Sequence, residues 1–224
     1  MFKRSLIVAI TVLSCASYAA ADVILGTPTA DPNLQDCVAF GCAVQAQFIY
    51  DSSYFANPIS ITELQFYNSF EDPGDAFDPS TYTFKLATAT HDYLTPDAVF
   101  ANNVGADVHV FTTVAVGSGL IPSVFSFAGA PFLYNPALGD LLIEIDKTGT
   151  TGFTGFTDYN NDGFKASRVF DLGDGSGAAI DVNFAPVVKL IARDVTPVPE
   201  PMTLTLTGLG LAYFARQLKK KQSR

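Results

Sequence analysis

The sequence predicts an all-β protein, a single β-sandwich or jelly-roll-like domain over residues 22–195 between two targeting-type ends. Three observations predict it. Phe, Tyr, Val and Thr are abundant, apolar residues alternate with period two in successive runs, and turn residues recur between those runs. No long stretch keeps a helical period, and no solenoid repeat is present.

The elements follow in order. Val44, Ala46, Phe48 and Tyr50 share one face, and Gln45 and Gln47 share the other. Ile59 and Ile61 have one parity, Leu64 and Phe66 the opposite one, so one strand buries both sets only if a bulge near Thr62-Glu63 flips the register. Tyr82, Phe84 and Leu86 oppose Thr83 and Lys85. Val108, Val110, Val114 and Val116 oppose His109, Phe111 and Thr113, which puts His109 at a polar surface position. Leu141, Ile143 and Ile145 oppose Glu144 and Asp146, with Glu144 facing water. Val187–Ala192 is nearly continuous apolar and reads as a doubly covered or closing strand. Asp72-Pro73-Gly74-Asp75, Asn102-Asn103, Gly117-Ser118-Gly119 and Asn135-Pro136 with Gly139-Asp140 mark the turns.

Seven of the 13 Lys and Arg lie in the two ends, whereas all 22 acidic residues lie between Asp22 and Glu200. The body therefore holds six cations against 22 acids, a net of −16. Nucleic acid and anionic lipid are disfavoured, because phosphate binding needs a basic footprint; divalent cations remain compatible. Cys37 and Cys42 are the two cysteines of the body. Their spacing suits a small disulfide loop in an oxidising compartment, and two thiols are too few for a zinc site.

At the N-terminus, Met1-Phe2-Lys3-Arg4 is basic, Leu6 to Leu13 is apolar, and Ala19-Ala20-Ala21 precedes Asp22. This predicts a signal peptide over 1–21, cut between Ala21 and Asp22. Lipid attachment at Cys15 is the competing reading, disfavoured by the bulky Leu13. At the other end, a stiff linker at 196–201 leads into an uncharged stretch from Met202 to Ala215, then Arg216, Lys219, Lys220, Lys221 and Arg224. That stretch is 14 residues long, short of the roughly 20 that span a bilayer comfortably.

Val198-Pro199-Glu200-Pro201, a Gly- and Leu-rich apolar segment and a basic end resemble the PEP-CTERM sorting domain of Gram-negative bacteria. The family often ends in an arginine run, and this chain uses mostly lysine. The resemblance implies that exosortase reads Pro199, Glu200 and Pro201. It also implies transient inner-membrane insertion through 202–215, with Arg216 and the lysines kept on the cytoplasmic side, and delivery to the cell surface or the extracellular matrix. More loosely, Phe48 to Phe55, Ile59 to Phe66, and Pro131 to Pro136 leading into Gly139 to Ile143 resemble the extracellular domains that precede this signal. That likeness implies a β-sandwich and no catalytic residues.

The sharpest chemical motif is Asp158, Asn160 and Asp162 followed by Gly163. Alternating oxygen side chains before a glycine form the first half of a calcium loop, but a polar hairpin turn, for which Asn and Asp followed by Gly are ideal, is the simpler reading. Val169 stands where an EF-hand needs a bidentate Glu, so a site would need Asp171, Asp174 or Asp181 instead. Glu71, Asp72, Asp75 and Asp78 read as a solvated loop or a weak cation site. Catalysis has little support: His91 and His109 lie in no ligand spacing, and no Gly-x-Ser-x-Gly occurs. The expectation is a non-enzymatic surface or matrix protein associated with extracellular polysaccharide. The alternative is a carbohydrate-binding module, calcium-dependent or not, with Tyr50, Tyr54, Tyr67, Tyr82, Tyr93 and Tyr159 as stacking faces. A secreted hydrolase would need apposed carboxylates.

Overall fold

The structure, a computed structural model, describes residues 22–70, 75–150, 152, 154–161 and 163–195. Among them the strands are β1 (Val23–Leu25), β2 (Gln35–Asp36), β3 (Gln45–Tyr50), β4 (Ile59–Tyr67), β5 (Ser80–Thr88), β6 (His109–Val116), β7 (Val124–Tyr134), β8 (Leu141–Gly149), β9 (Thr157–Asn160), β10 (Ala166–Asp171), β11 (Ala179–Val182), β12 (Ala185–Pro186) and β13 (Val188–Asp194). One short α-helix, α1 (Phe100–Asn103), and three single-turn 3-10 helices, Pro32–Leu34, Ser52–Tyr54 and Pro136–Leu138, interrupt them. The described residues are all-β in class, as their alternation predicts. No helix among the described residues is long and apolar enough to cross a membrane.

The strands form a six-stranded sheet in the order β11-β10-β3-β8-β5-β6 and a four-stranded sheet in the order β1-β13-β4-β7. A small third sheet runs β12-β9-β2. Register explains why the alternation works. Phe48 and Leu86 both pair with Ile143, so three apolar side chains form a row across β3, β8 and β5. Ala46, Ile145 and Phe84 form the next row. These rows share one hydrophobic core with Ile61, Leu64, Phe66, Val188 and Leu190 of the four-stranded sheet.

Phe40 sits inside that core on the loop closed by the Cys37–Cys42 disulfide. Its ring centroid is 4.9 Å from Phe66, 5.0 Å from Phe125 and 5.7 Å from Phe127. The expected disulfide is therefore present, and its loop delivers an aromatic side chain to the core. Beside it the buried Lys147 ammonium bonds the Gly41 carbonyl and lies 3.0 Å from Asp78. Burial pulls Lys147 below its usual pKa, and Asp78 partly restores it.

The predicted bulge lies in β4. Ile61 pairs with Ala192 and Glu63 with Ile191, leaving Thr62 as the extra residue. Ile59, Ile61, Leu64 and Phe66 are all buried as a result. A second bulge, in β6, was not expected. Lys85 pairs with Val110 and Phe84 with Thr112, so Phe111 is extra. The flip buries Phe111 and leaves Val110 54% exposed, which overturns the single valine face read from parity. His109 is accordingly half-buried, not on the surface, with its ring 6.5 Å from that of Phe132.

The outer face of β8 is also not wet. Gln47, Glu144 and Lys85 form a polar cross-strand row. Glu144 is only 3% exposed, because the segment around α1 covers it. Gln47 donates to the Phe100 carbonyl (3.0 Å) and to Glu144, and its own carbonyl accepts from Asn103 (3.0 Å). Burial lowers the Lys85 pKa, but hydrogen bonds to Asp146 and Glu144 outweigh it and hold the ammonium above its usual range. A buried carboxylate needs such partners, since an unpaired one is strongly disfavoured away from water.

Many of the surplus acids stitch loops. Asp31, Asp36, Asp51, Asp92, Asp97, Asp171 and Asp174 each accept a hydrogen bond from the backbone N–H two residues on. This is the local turn chemistry that Asp favours.

Candidate functional site

The β10–β11 hairpin turns through Gly173-Asp174-Gly175-Ser176-Gly177, where all three glycines have φ between +72° and +85°. That left-handed backbone suits glycine. The register then sets Arg168 directly opposite Asp181.

Arg168 is 7% exposed. Its Nε and Nη2 both lie 2.8 Å from Asp181 Oδ2, and Nη1 lies 2.9 Å from Asp36 Oδ2. Aromatic rings surround the guanidinium. Its carbon is 4.5 Å from the Phe184 centroid, 4.6 Å from Phe170 and 5.3 Å from Tyr159. Burial alone would lower the Arg168 pKa, but Tyr159, Asp36 and Asp181 outweigh it and raise it. The group is a fixed cation. The Tyr159 phenol is pushed well above its usual range, chiefly by burial and then by Asp36, so it stays neutral.

Arg168 and Asp181 line an open cleft of about 620 Å³, together with Asn161, Asn183, Ile180 and Phe184. Asn183 has φ +61°, the one non-glycine residue in the left-handed region among those described. Asn tolerates that conformation through its short polar side chain. The Asp181 side chain is 45% exposed, and its Oδ1 has no hydrogen-bond partner among the described residues. The cleft thus offers two amides and one carboxylate oxygen beside an aromatic wall.

A second hollow, of about 730 Å³, lies over the outer face of the six-stranded sheet and is lined by Lys85, Glu144, Phe100, Val104, Val108 and Val110. Its charged groups are engaged with one another: Lys85 meets Glu144 and Asp146, each at 2.6 Å. The Arg168 cleft is therefore the better candidate, because it leaves polar atoms free to orient a ligand.

The sequence-predicted residues fall as follows. Asp158 and Asn160 lie on β9, between β2 and β12, so this stretch is a strand where a turn or loop was expected. Asp158 is fully buried. Its Oδ1 accepts from Gln35 Nε2 (2.7 Å) and the Ser69 N–H (2.8 Å), and its Oδ2 accepts from the Thr29 N–H (3.0 Å). Asn160 exchanges two hydrogen bonds with the Thr27 backbone. Both side chains are thus occupied by N–H and C=O partners, and Asp162 lies outside the described residues. Of the other acids named for calcium, Asp171 and Asp174 cap turn amides and Asp181 holds Arg168. Asp75 and Asp78 are buried, so that part of the second acidic group is not a solvated loop; Glu71 and Asp72 lie outside the described residues. Asp36, Cys37 and Cys42 bring ligand-type atoms within 4.8 Å, but both sulfurs belong to the disulfide.

Asp22 pairs with Lys189 at 3.0 Å. Ala21, Pro199, Glu200, Pro201 and Arg216 lie outside the described residues. Tyr50, Tyr82 and Tyr159 are fully buried and cannot stack on a sugar; Tyr54, Tyr67 and Tyr93 are half-buried. Arg168 and Asp181 are the pair that motif reading misses as a unit. The signal was a lone charge in each of two apolar runs, at matching distances from a glycine-rich turn.

Comparison with known proteins gives no match: no protein-family profile, no curated protein and no solved structure aligns with this chain.

Proposed function

We propose that the chain is an exported, non-enzymatic β-sandwich protein that binds extracellular polysaccharide in the Arg168 cleft. In the same proposal, residues 198–224 are a sorting signal cut by exosortase, with the inner membrane as a transient stop. The observation that carries the binding reading is the cleft itself: Asn161, Asn183 and Asp181 line it together with Phe184, beside the β10–β11 hairpin. Sugars present hydroxyls around an apolar ring face, and such a mixed surface suits them. Binding fits better than turnover there. Arg168 is a fixed cation that cannot shuttle protons, and Asp181 is already engaged with it. The disulfide suits an oxidising destination.

The test is binding of the full chain to a panel of soluble glycans, with Asn183→Ala and Phe184→Ala as variants. At least one glycan should bind, and each variant should weaken it about tenfold, or about 1.4 kcal/mol, measured well below a melting temperature that both variants lower, because Asn183 has φ +61° and Phe184 stacks on Tyr159. A panel without any binding would defeat the reading. For sorting, Glu200→Ala should leave a form that keeps the basic tail, detectable by mass spectrometry of the membrane fraction.

A further inference from the structure

The body's six cations are almost all neutralised. Lys85 meets Glu144 and Asp146, Lys147 meets Asp78, Lys165 meets Asp51, Arg168 meets Asp36 and Asp181, and Lys189 meets Asp22. Among the described residues only Arg193 pairs with no carboxylate, and it lies on β13, away from the cleft lining. The domain therefore has no free cation at its candidate site, on a body whose net charge is −16.

The cleft repeats this balance locally. Among the described residues one guanidinium meets Asp181, which lines the cleft, and Asp36, which does not, and the three groups sum to one negative charge. The Asp181 Oδ1 is the free acceptor of that cluster. A uronate sugar would meet this carboxylate with no unpaired cation to offset it, since Arg168 is already shared between Asp36 and Asp181. An ammonium would meet an acceptor that still has an open lone pair, while Asn161 and Asn183 take neighbouring hydroxyls.

We infer that the polysaccharide bound in the Arg168 cleft is amine-bearing, a polymer of unacetylated hexosamine. This rests on the glycan reading given above. Asp181 is the residue that selects it.

The experiment uses the full chain and three soluble oligomers of matched length: glucosamine, N-acetylglucosamine and galacturonate. Calorimetry is run at low and high salt, at a pH where the amine is charged. The glucosamine oligomer should bind about tenfold tighter than its acetylated form, with salt weakening it, and galacturonate should not bind. Asp181→Asn should erase the preference. Asp97→Asn, an identical charge change on the loop before α1, should leave it intact. Equal affinity for the acetylated or acidic oligomer overturns the amine inference while the glycan reading stands. No binding by any oligomer of the panel means that the glycan reading has failed. Equal losses in both variants would show diffuse attraction, and that also overturns the proposal. The native protein's ranking of the three oligomers decides the matter even if Asp181→Asn proves unstable.

Discussion

Arg168 and Asp181 are directly paired across the β10–β11 ladder, and two guanidinium nitrogens converge on one carboxylate oxygen at 2.8 Å. The remaining nitrogen reaches Asp36 on β2, so this side chain ties the six-stranded sheet to the small third sheet. Removing one partner of a buried pair strands the other, which typically costs about 3–5 kcal/mol. Asp36 and Asp181 keep side-chain exposures of 23% and 45%, so water screens part of that loss.

Arg168→Met should therefore destabilise by about 3 kcal/mol, toward the low end of that range, in urea unfolding. Arg168→Lys should recover less than half of it. A single ammonium cannot hold Asp181 and Asp36 together while lying flat on Phe170 and Phe184. A lysine variant as stable as the native chain would show that fork geometry is not what matters.

Alternation made most strands legible, including the β4 bulge, because Ile59, Ile61, Leu64 and Phe66 cannot share a face without one. The β6 bulge was not legible. Valines on both sides of Phe111 happen to keep one parity, so the pattern hid the flip. Period two likewise assigns Glu144 to water, and only the crossing of α1 over β3 and β8 buries it. The Asp158–Asn160 stretch has turn composition but is held as a strand by β2 and β12, contacts distant in sequence. For the cleft, Asn161 lies inside the Asp158–Gly163 motif, whereas nothing local marks Arg168 or Asn183, whose positions follow from the hairpin register.

Gly41 should tolerate no side chain. A Cβ there would lie 1.5 Å from the Thr154 carbonyl oxygen, a backbone atom that cannot swing away. Gly155 answers it from the other side, with φ +85° and a Cβ position 2.7 Å from the Phe40 backbone. Gly163 also has a positive φ, +84°, but open space around it. Gly41→Ala should lower stability by about 3 kcal/mol or more, whereas Gly163→Ala should lose only about 1–2 kcal/mol from backbone strain. Similar losses at the two sites, measured by chemical denaturation, would contradict the interlocked loops.

Acid should destabilise the domain below the usual carboxylate range. The Val99 N–H first, and then the Asn102 amide, hold Asp97 below its usual pKa. Asp174 is held down by the Ser176 hydroxyl and then by the Ser176 N–H. Because these folded pKa values are depressed, the stabilisation is complete above the unfolded value of about 3.9 and is lost as pH falls through the folded values. The melting temperature should stay level from neutral pH to about 5 and fall below about 4. Both carboxylates are exposed and screened, so Asp97→Asn or Asp174→Asn should remove only a small part of that acid limb. A melting temperature that climbs on acidification below pH 4 would show that the turn caps do not govern it.

Asp158 should matter for folding through N–H donors. It is fully buried, and three donors from the segments at Thr29, Gln35 and Ser69 converge on its two oxygens. Charge-assisted hydrogen bonds of this kind are the stronger ones, and each orphaned buried donor typically costs about 1–3 kcal/mol. Asp158→Ala should then destabilise by about 3 kcal/mol or more, which for a domain of this size lowers the melting temperature by about 6–12 °C. Asp158→Asn should also lose stability, because its NH₂ would face a donor. The same losses should appear in chelator and in millimolar calcium, since the carboxylate serves amides in both. A loss seen only with calcium present would instead make Asp158 a metal ligand, acting by mass action on the folded state.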